Sequence, residues 1–458
     1  MKDLTTGRIE THLARMSGAI LLNMLAGNLF ALINLYWLGR LGPHAQAAVT
    51  LAGFPMMLLL TLMPVVGMGA GILISHAVGG GDRDRANRIF NEAFGAALLF
   101  MGVLGVVGWI ERDAFGRLLT SDADTATLIA TYFRWFIPAI VVQLPMYIVA
   151  SALEFTGNVR TGTIAQLATV ALNAVLAPVL MFGWLGLPAL GVAGTGMATF
   201  LACGLTMLGV FAYFTLSDTY LRLQPSVWVS RPRELWGALK IGLPTGIESA
   251  VVAVYLLAIA LLLRPFGADE QAAFGVGQRV FQSVLMPLMA LSSATCVIVG
   301  QSHGAGLADR VRDTLRRSLR VGLVLAPLML LAIELGAPWI CGLFTDDAAV
   351  AAACTRFLRI AAITLVPSAI SYLVFAALSG TGYTRASLIT QVVYASTVVV
   401  IAFVLSRLPG FRPAWLWTTM AAAGFVQAGM AVFFARRHFR TRADAAPAVG
   451  APEVGAPA

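Results

Sequence analysis

The chain has 458 residues, of which 59% are hydrophobic and 12% charged, and its mean hydropathy is +0.82. A soluble domain carries about 25% charged residues, so this composition indicates a membrane protein that crosses the bilayer several times. The net charge of +9 does not indicate nucleic-acid binding, because the basic residues lie at the ends of apolar runs, where anionic lipid accounts for them.

Twelve apolar runs, each about twenty residues or longer, follow one another along the chain, and a run of that length crosses the hydrocarbon as a helix. Short charged or glycine- and proline-containing segments separate them. The predicted spans lie near residues 17–39, 46–77, 92–111, 127–152, 162–183, 190–215, 238–263, 271–300, 319–342, 354–378, 386–407 and 414–436. Prolines inside many spans remove backbone donors and are able to kink the helices.

The spans group into five predicted segments. These are a cytoplasmic N-terminal segment at 1–16, a first lobe of six spans at 17–215, a cytoplasmic linker at 216–237, a second lobe of six spans at 238–437, and a disordered cytoplasmic tail at 438–458. The tail is rich in Ala, Pro and Gly, a composition that cannot form a core. No small-residue cleavage site follows the first apolar run, so we expect no removable signal peptide.

The basic residues sort by side when the loops are assigned alternately to the two faces of the membrane. One side receives 21 of the 31 lysines and arginines, the other receives nine, and Arg279 falls inside a span. The positive-inside rule then places both termini in the cytoplasm, as expected for a multi-pass protein of the bacterial inner membrane.

The second half of the chain repeats the first without gaps. All matched residues have the same separation in the sequence, that between positions 79 and 304, which we call the repeat offset. Matched Gly, Asp and Arg mark turns and polar sites, so they are stronger evidence of duplication than matched Leu or Ala. Six spans in each half give both halves the same orientation, with an axis along the membrane normal and a substrate site between them. The clearest matches are Gly79-x-Gly81-x-x-Asp84-Arg85 with Gly304-x-Gly306-x-x-Asp309-Arg310, Thr120-x-Asp122 with Thr345-x-Asp347, and Thr156-Gly157-x-x-Arg160 with Thr381-Gly382-x-x-Arg385.

The sequence contains neither an HExxH motif nor a P-loop, and the four cysteines lack zinc or redox spacing. Cys341 and Cys354 either pair near the outer face or remain separate buried thiols. We expect no cofactor, and with no nucleotide motif the chain must use an ion gradient or a partner, or merely equilibrate its substrate.

Two charged residues fall inside predicted spans, where a charge is costly and commonly has a role. Glu248 lies about two turns inside the seventh span. Desolvation favours its neutral form and a bound Na⁺ or organic cation favours its ionised form, which is what a coupling site requires. The alternative is an interfacial glutamate wetted from the cytoplasm. Arg279 in the eighth span either pairs with Glu248 or binds an anionic group.

Polar amides and tyrosines also occur inside spans. Such groups either join helices by hydrogen bonds or line a wet cavity. The repeat aligns Asn23 with Glu248, so the corresponding position of the first lobe is neutral. The candidates for the substrate cavity are Asn23, Asn28, Asn34, Gln143, Tyr147, Asn173, Tyr255, Gln278, Arg279, Gln282 and Tyr372.

Six short segments carry a family resemblance, and they occur in order at matching offsets. They are Leu38-Gly39-Arg40-Leu41-Gly42, Gly79-Gly80-Gly81-Asp82, Leu172-Asn173-x-x-Leu176-x-Pro178 with Phe182-Gly183 and Gly191-Val192-Ala193-Gly194, Gly242-Leu243-Pro244, Val299-Gly300-Gln301-x-x-Gly304-Ala305-Gly306, and Gly380-Thr381-Gly382-x-x-Arg385. Over roughly residues 15 to 437 the chain resembles the multidrug and toxic compound extrusion (MATE) family. A glutamate at position 248 is similar to its DinF-like branch.

The resemblance implies an all-α membrane protein with twelve transmembrane helices in two six-helix lobes, arranged as a V around a central cavity. It also implies alternating access and export of amphipathic, often cationic compounds against inward H⁺ or Na⁺. The family's common acids of the first and fifth spans fall on Asn34 and Ala177. Glu248 is therefore the best remaining coupling carboxylate.

We therefore expect a secondary transporter of small amphipathic molecules, and not an enzyme. Its partners are small-molecule substrates and membrane lipids, without nucleic acid, and the chain acts as a monomer. The rival transporter function is a lipid-linked precursor flippase, in which Arg279 would hold a phosphate. A membrane scaffold without transport is the remaining alternative.

Overall fold

The computed structural model describes residues 3–60, 63–217, 219–228, 232–345 and 347–444. Within these ranges the chain forms fifteen α-helices and three short 3-10 helices, and it forms no strand. Part of the predicted linker (218 and 229–231) and the predicted tail from residue 445 onward lie outside the described residues.

The first lobe contains eight helices. They are α1 (Ile9–Gly39), α2 (Pro43–Leu60), α3 (Met63–Gly79), α4 (Arg83–Ile110), α5 (Arg112–Leu119), α6 (Ala123–Phe155), α7 (Val159–Phe182) and α8 (Val192–Leu216). The pair α2 and α3 occupies the second predicted span, and α5 is a short helix outside the predicted spans.

The second lobe contains seven helices. They are α9 (Pro232–Leu263), α10 (Ala268–Gly304), α11 (Ala308–Gly342), α12 (Ala348–Ala362), α13 (Leu365–Gly380), α14 (Arg385–Leu405) and α15 (Pro413–Asp444). The repeat offset takes the start of α2 to the start of α10 and the end of α3 to the end of α10. The same offset takes the start of α6 to the start of α12 and the end of α6 to the end of α13. The helix boundaries therefore confirm the repeat that was predicted from the sequence.

The turns and helix caps repeat as well. Gly81 and Gly306 have φ of +75° and +73°, and Gly157 and Gly382 have +79° and +85°. These left-handed conformations strain other residues, which is why glycine stands at both copies. The matched residues Asp122 and Asp347 cap α6 and α12 by accepting from backbone amides.

Ten helices of the described residues are long and apolar enough to cross a membrane, and α12 with α13 forms a further span with a bend of 52°. The tenth span was predicted as one run at 354–378, but the structure breaks it at Ile363 and Thr364. Pro367 follows the break and has no N–H for the carbonyl of Ile363, which weakens the helix there. Helix α6 contains Pro138 and Pro145 and remains continuous.

The two lobes meet at the end of the bundle where α1 begins and α15 ends, which we call the termini side. Gly79 of α3 lies against the backbone of Gln301, and Gly304 of α10 lies against the backbone of His76. A Cβ added at Gly79 or Gly304 would lie 1.9 or 2.1 Å from the carbonyl oxygen opposite. These two contacts exchange under the repeat offset, so the twofold relation between the lobes passes between α3 and α10.

Apolar packing closes the lobe interface on the termini side. Leu13 and Ile20 of α1 and Ile72 of α3 form one buried cluster with Leu291 and Val297 of α10. Burial of such side chains stabilises the contact between the lobes.

Away from the termini side the helices pack within their own lobes. Helix α2 contacts α1, α5 and α6, whereas α3, on the termini side of the same span, packs on α9 and α10 of the other lobe. Helix α12 contacts α10, α11 and α15. The lobes therefore form a V that is closed on the termini side and opens on the opposite side.

Candidate substrate and coupling-ion site

Glu248 lies on α9 close to the point where the lobes separate. It is six residues beyond Gly242, whose Cα packs against the backbone of Val65 of α3, a rise of about 9 Å along the helix. The carboxyl group is half-buried and has Ser387 and Tyr372 of the second lobe as neighbours. Among the described residues no lysine, arginine or histidine forms an ion pair with it.

Asn23 holds the position of the first lobe that corresponds to Glu248. It is half-buried on α1, and its amide oxygen is buried without a hydrogen-bond donor in the described part of the chain. The amide oxygen of Asn34 is in the same state, while its Nδ2 donates to the carbonyl of Phe30 at 3.1 Å. Buried acceptors without a donor are uncommon, so these oxygens are available to a cation or a donor group.

Tyr147 and Tyr372 flank the two central helices in equivalent places. The ring of Tyr147 lies against Gly67 of α3, and the carbonyl of Tyr372 accepts from Ser292 of α10 at 3.0 Å. The two tyrosines are 38% and 37% exposed. The repeat therefore presents one partly exposed aromatic ring from each lobe beside the lobe interface.

Glu154 is a second half-buried carboxyl group, and the pattern of apolar spans did not predict it. It ends α6 of the first lobe and accepts a hydrogen bond from the hydroxyl of Ser293 on α10 of the second lobe. Tyr147 and Cys296 are close enough to interact electrostatically with its carboxyl group. Glu154 lies just outside the predicted fourth span, so it was not among the charged residues expected inside spans. Its repeat partner is the neutral Ser379. Glu154 bridges the lobes on their closed side.

Arg279 does not pair with Glu248. Its side chain is exposed, as is that of Gln282, and Gln278 is half-buried. Arg279 lies 25 residues before Gly304, about 37 Å along α10 from the termini side. It forms no ion pair with any described carboxylate, so the alternative in which it pairs with Glu248 is not seen.

The remaining candidates divide between the lobe interface and the lobe interiors. Asn28 is exposed and its Nδ2 lies 3.4 Å from Met286 Sδ of α10, across the interface. Asn173 is fully buried and donates to Thr199 at 3.3 Å, which joins α7 to α8. Gln143 lies 3.9 Å from Cys203, and buried Tyr255 faces Tyr394 at 3.5 Å. These last three residues hold helices of one lobe together.

The repeated Gly-x-Gly-x-x-Asp-Arg motif joins each lobe to the start of the other. Arg310 of the second lobe donates to the carbonyl oxygens of Leu4, Thr6 and Gly7 at 2.8–3.1 Å. Arg85 of the first lobe pairs with Glu234 of α9 at 3.3 Å. Each motif arginine thus holds the segment that leads into the other lobe.

The four cysteines are buried free thiols, so Cys341 and Cys354 do not form a disulfide. Among the described residues no three His, Cys, Asp or Glu side chains form a group that holds a metal ion. The site therefore consists of carboxyl, amide and aromatic groups around the junction of the lobes.

Comparison with known proteins gives one consistent result. The family model MatE matches residues 19–179 and 244–404, so the two matches are related by the repeat offset at both ends. The chain is 28% identical over 460 residues to "Probable multidrug resistance protein NorM" of Deinococcus radiodurans, covering 96% of this chain and 98% of that protein. It is 26% identical over 333 residues to "Probable multidrug resistance protein YoeA" of Bacillus subtilis, covering 72% of each.

Among solved structures the chain is similar to an outward-facing multidrug resistance MATE family transporter of the MOP superfamily. The TM-score is 0.86 at 20% identity, covering 96% of this chain and 97% of that one, which shows the two-lobe fold. With a family model on both lobes and this fold, the chain belongs to the multidrug and toxic compound extrusion (MATE) family of membrane transporters, and it is not an enzyme.

Proposed function

We propose that the chain exports small amphipathic, cationic organic compounds from the bacterial cytoplasm in exchange for H⁺ or Na⁺. The family and the names of the relatives support drug efflux. The coupling step is the finer part of the proposal, and it assigns Glu248 as the carboxylate that the ion and the substrate share.

The observation that carries this assignment is a carboxyl group inside a span without a basic partner. A charge at that depth is costly, and a cation or a proton relieves the cost. Because Glu248 forms no ion pair with a described residue, its negative charge is available to a mobile cation. Binding of H⁺ or Na⁺ removes the attraction that holds an organic cation, so ion and substrate exclude one another.

The position of Glu248 supports coupling to the movement of the lobes. It lies about two turns from the contact between Gly242 and Val65, so a change in the angle between the lobes changes its surroundings. Basic residues favour a cytoplasmic termini side, which makes the described state outward-open. In that state the ion enters from outside and displaces the substrate outward.

The first lobe contributes acceptors rather than a second coupling acid at the matched position. The buried amide oxygens of Asn23 and Asn34 accept no hydrogen bond from the described residues. An ammonium group of a substrate donates to such oxygens without a fixed charge being required. Tyr147 and Tyr372 add exposed aromatic faces, which attract organic cations.

A lipid-linked precursor flippase remains the rival function. Recognition of a diphosphate calls for several basic side chains that converge inside the spans, and the sequence places only Arg279 there. Its side chain is exposed, and one arginine does not form such a cluster, so the residues inside the spans favour a cation-binding site.

The test is transport in proteoliposomes that contain the purified full-length chain. A panel of cationic dyes is followed under an imposed H⁺ gradient, an imposed Na⁺ gradient, or neither. We expect Glu248→Gln to abolish gradient-driven dye movement while the protein remains folded. Glu270→Gln removes a carboxylate at the start of α10 that pairs with Arg356 at 2.8 Å and serves as the control.

Unchanged gradient-driven transport in Glu248→Gln would remove this residue from the coupling step. Dye movement that neither gradient accelerates in the wild type would overturn antiport itself. Movement of a fluorescent lipid diphosphate, without movement of any dye, would favour the flippase.

A further inference from the structure

A cavity of about 670 Å³ lies on the termini side of the first lobe, apart from the space between the lobes. The start of α1 and the turn between α6 and α7 form its walls. Leu4, Met16, Ala19 and Val159 supply an apolar part of the lining. The candidate transport site uses none of these residues.

The polar part of this cavity is basic. Arg15, Arg160 and His12 line it, and no carboxylate does. Neither guanidinium group has a hydrogen-bond or ion-pair partner in the described part of the chain, while His12 donates to the carbonyl of Thr6 at 2.8 Å. The neighbouring acid Glu10 is engaged by Arg317 of the second lobe. The positive charge of the cavity is therefore not neutralised by the protein.

The N-terminus of α7 adds to this positive character. Asn158 precedes the helix but its side chain does not cap it. Its amide instead donates to the hydroxyl of Tyr213 at 3.2 Å and accepts from Thr161 at 3.2 Å. The first backbone amides of a 24-residue helix, at residues that line the cavity, thus lack a side-chain cap, and such amides favour an anion.

In the second lobe the matched basic residues stand in different surroundings. The repeat offset takes Arg15 to Lys240 and Arg160 to Arg385. There, Lys240 lies over the ring of Trp236 at 5.6 Å, and Thr384 donates to the carbonyl of Ile241 at 2.7 Å, which ties the turn to α9. Both lobes have basic residues at these positions. In the first lobe, Leu4 of the N-terminal segment lines the same cavity as Arg15 and Arg160.

We propose that this cavity binds an anionic phospholipid of the leaflet on the termini side. The phosphate group lies with Arg15, Arg160 and the start of α7, and an acyl chain follows the apolar wall. A lipid fits better than a free phosphate because the lining is partly apolar and the cavity stands at the ends of two spans. Basic pockets between transmembrane helices recognise phospholipid headgroups in this way. The proposal does not depend on which compound the transporter exports.

The experiment compares lipid retention by the purified full-length chain in native mass spectrometry. Wild type, Arg15→Gln with Arg160→Gln, and Lys240→Gln with Arg385→Gln are exposed to vesicles of phosphatidylglycerol or of phosphatidylcholine. We expect wild type and the second-lobe variant to retain phosphatidylglycerol in preference, and the first-lobe variant to lose about tenfold or more of that preference, since each basic residue contributes to anionic-lipid binding.

Equal loss in both double variants would overturn the proposal in favour of a general surface charge. Displacement of the lipid by inorganic phosphate at equal concentration would overturn it in favour of a soluble-anion site. Thermal unfolding of the wild type provides a measurement that needs no variant. Its midpoint should rise with phosphatidylglycerol and not with phosphatidylcholine, and an equal rise with both lipids would contradict the proposal.

Discussion

The two lobes have the same arrangement of helices, but Glu248 of the second lobe and Glu154 of the first lie at unmatched positions of the repeat. The second lobe has Glu248 on its first span, where the first lobe has Asn23. The first lobe has Glu154 at the end of its fourth span, where the second lobe has Ser379. One acid lies near the opening between the lobes, and the other bridges the lobes on the closed side.

This difference separates structural from functional constraints. The glycine turns, the aspartate caps and the close contacts of α3 with α10 occur in both copies, because each is needed to build a lobe or to join two lobes. Glu248 and Glu154 have no matched acid in the other lobe, as expected of groups that are not needed to build a lobe. Substitutions at matched residues of the two lobes test this difference.

The largest effect should come from the glycines at the twofold contact. Gly79→Ala and Gly304→Ala each put a Cβ about 2 Å from a carbonyl oxygen, so the backbones must separate. We expect each variant to lower transport about tenfold or more, because displacing α3 from α10 weakens the contact that closes the termini side. Gly204→Ala in α8, where a Cβ has open space, is the control. Transport that falls in only one of the two variants would contradict the twofold relation.

The next effect concerns the acid that bridges the lobes. Glu154→Gln replaces the carboxylate acceptor of this hydrogen bond by a neutral amide, and Ser293→Ala removes its hydroxyl donor. We expect severalfold slower dye efflux that still responds to the ion gradient, since Glu248 is intact. Rates measured with and without the gradient check this. Complete loss of the gradient response in Glu154→Gln would move the coupling role from the second lobe to the first.

A smaller effect should separate the two motif arginines. Arg310 donates to three carbonyl oxygens of the N-terminal segment, whereas Arg85 forms one half-exposed ion pair with Glu234. Exposed ion pairs contribute little. Hydrogen exchange of residues 4–8 should accelerate about tenfold in Arg310→Ala. Arg85→Ala should leave exchange at the start of α9 nearly unchanged, and equal acceleration at both places would contradict the distinction.

The smallest effect should come from the aspartate caps. Asp122→Ala and Asp347→Ala each remove an acceptor for helix amides, so thermal unfolding should begin a few degrees lower. The hydroxyl and amide of Thr125 lower the pKa of Asp122 below its usual range. Its contribution to stability is thus complete at neutral pH and is lost as pH falls through the lowered pKa. Asp124→Ala is the control, and a difference that persists in strong acid would contradict this origin.

Much of the fold was predictable because its signals are local. Apolar length located the spans, and matched Gly81 with Gly306 located the same left-handed turn twice. The break before Pro367 was not predictable from the presence of a proline, because Pro138 lies in a continuous helix at a nearby repeat position. The neighbouring helices of each lobe decide whether a freed carbonyl bends the chain.

The candidate site was predictable only in part. Glu248 stands out because a carboxyl inside a span is costly wherever it points. Glu154 stands at the edge of its span, and its role appears only when Ser293 of the other lobe is brought beside it. Asn173 and Tyr255 show the reverse, since polar groups inside spans also serve to join helices within one lobe.

Local features of the sequence were enough to predict an all-helical protein of many spans, its duplication and the position of Glu248, because hydrophobic length, turn geometry and the cost of buried charge depend on residues close in the chain. Which lobe faces touch, which end of the V is closed, and which polar groups reach across it are known only from the folded chain. Those features depend on pairs of residues far apart in the chain, such as Gly79 with Gln301, whose contact no local pattern records.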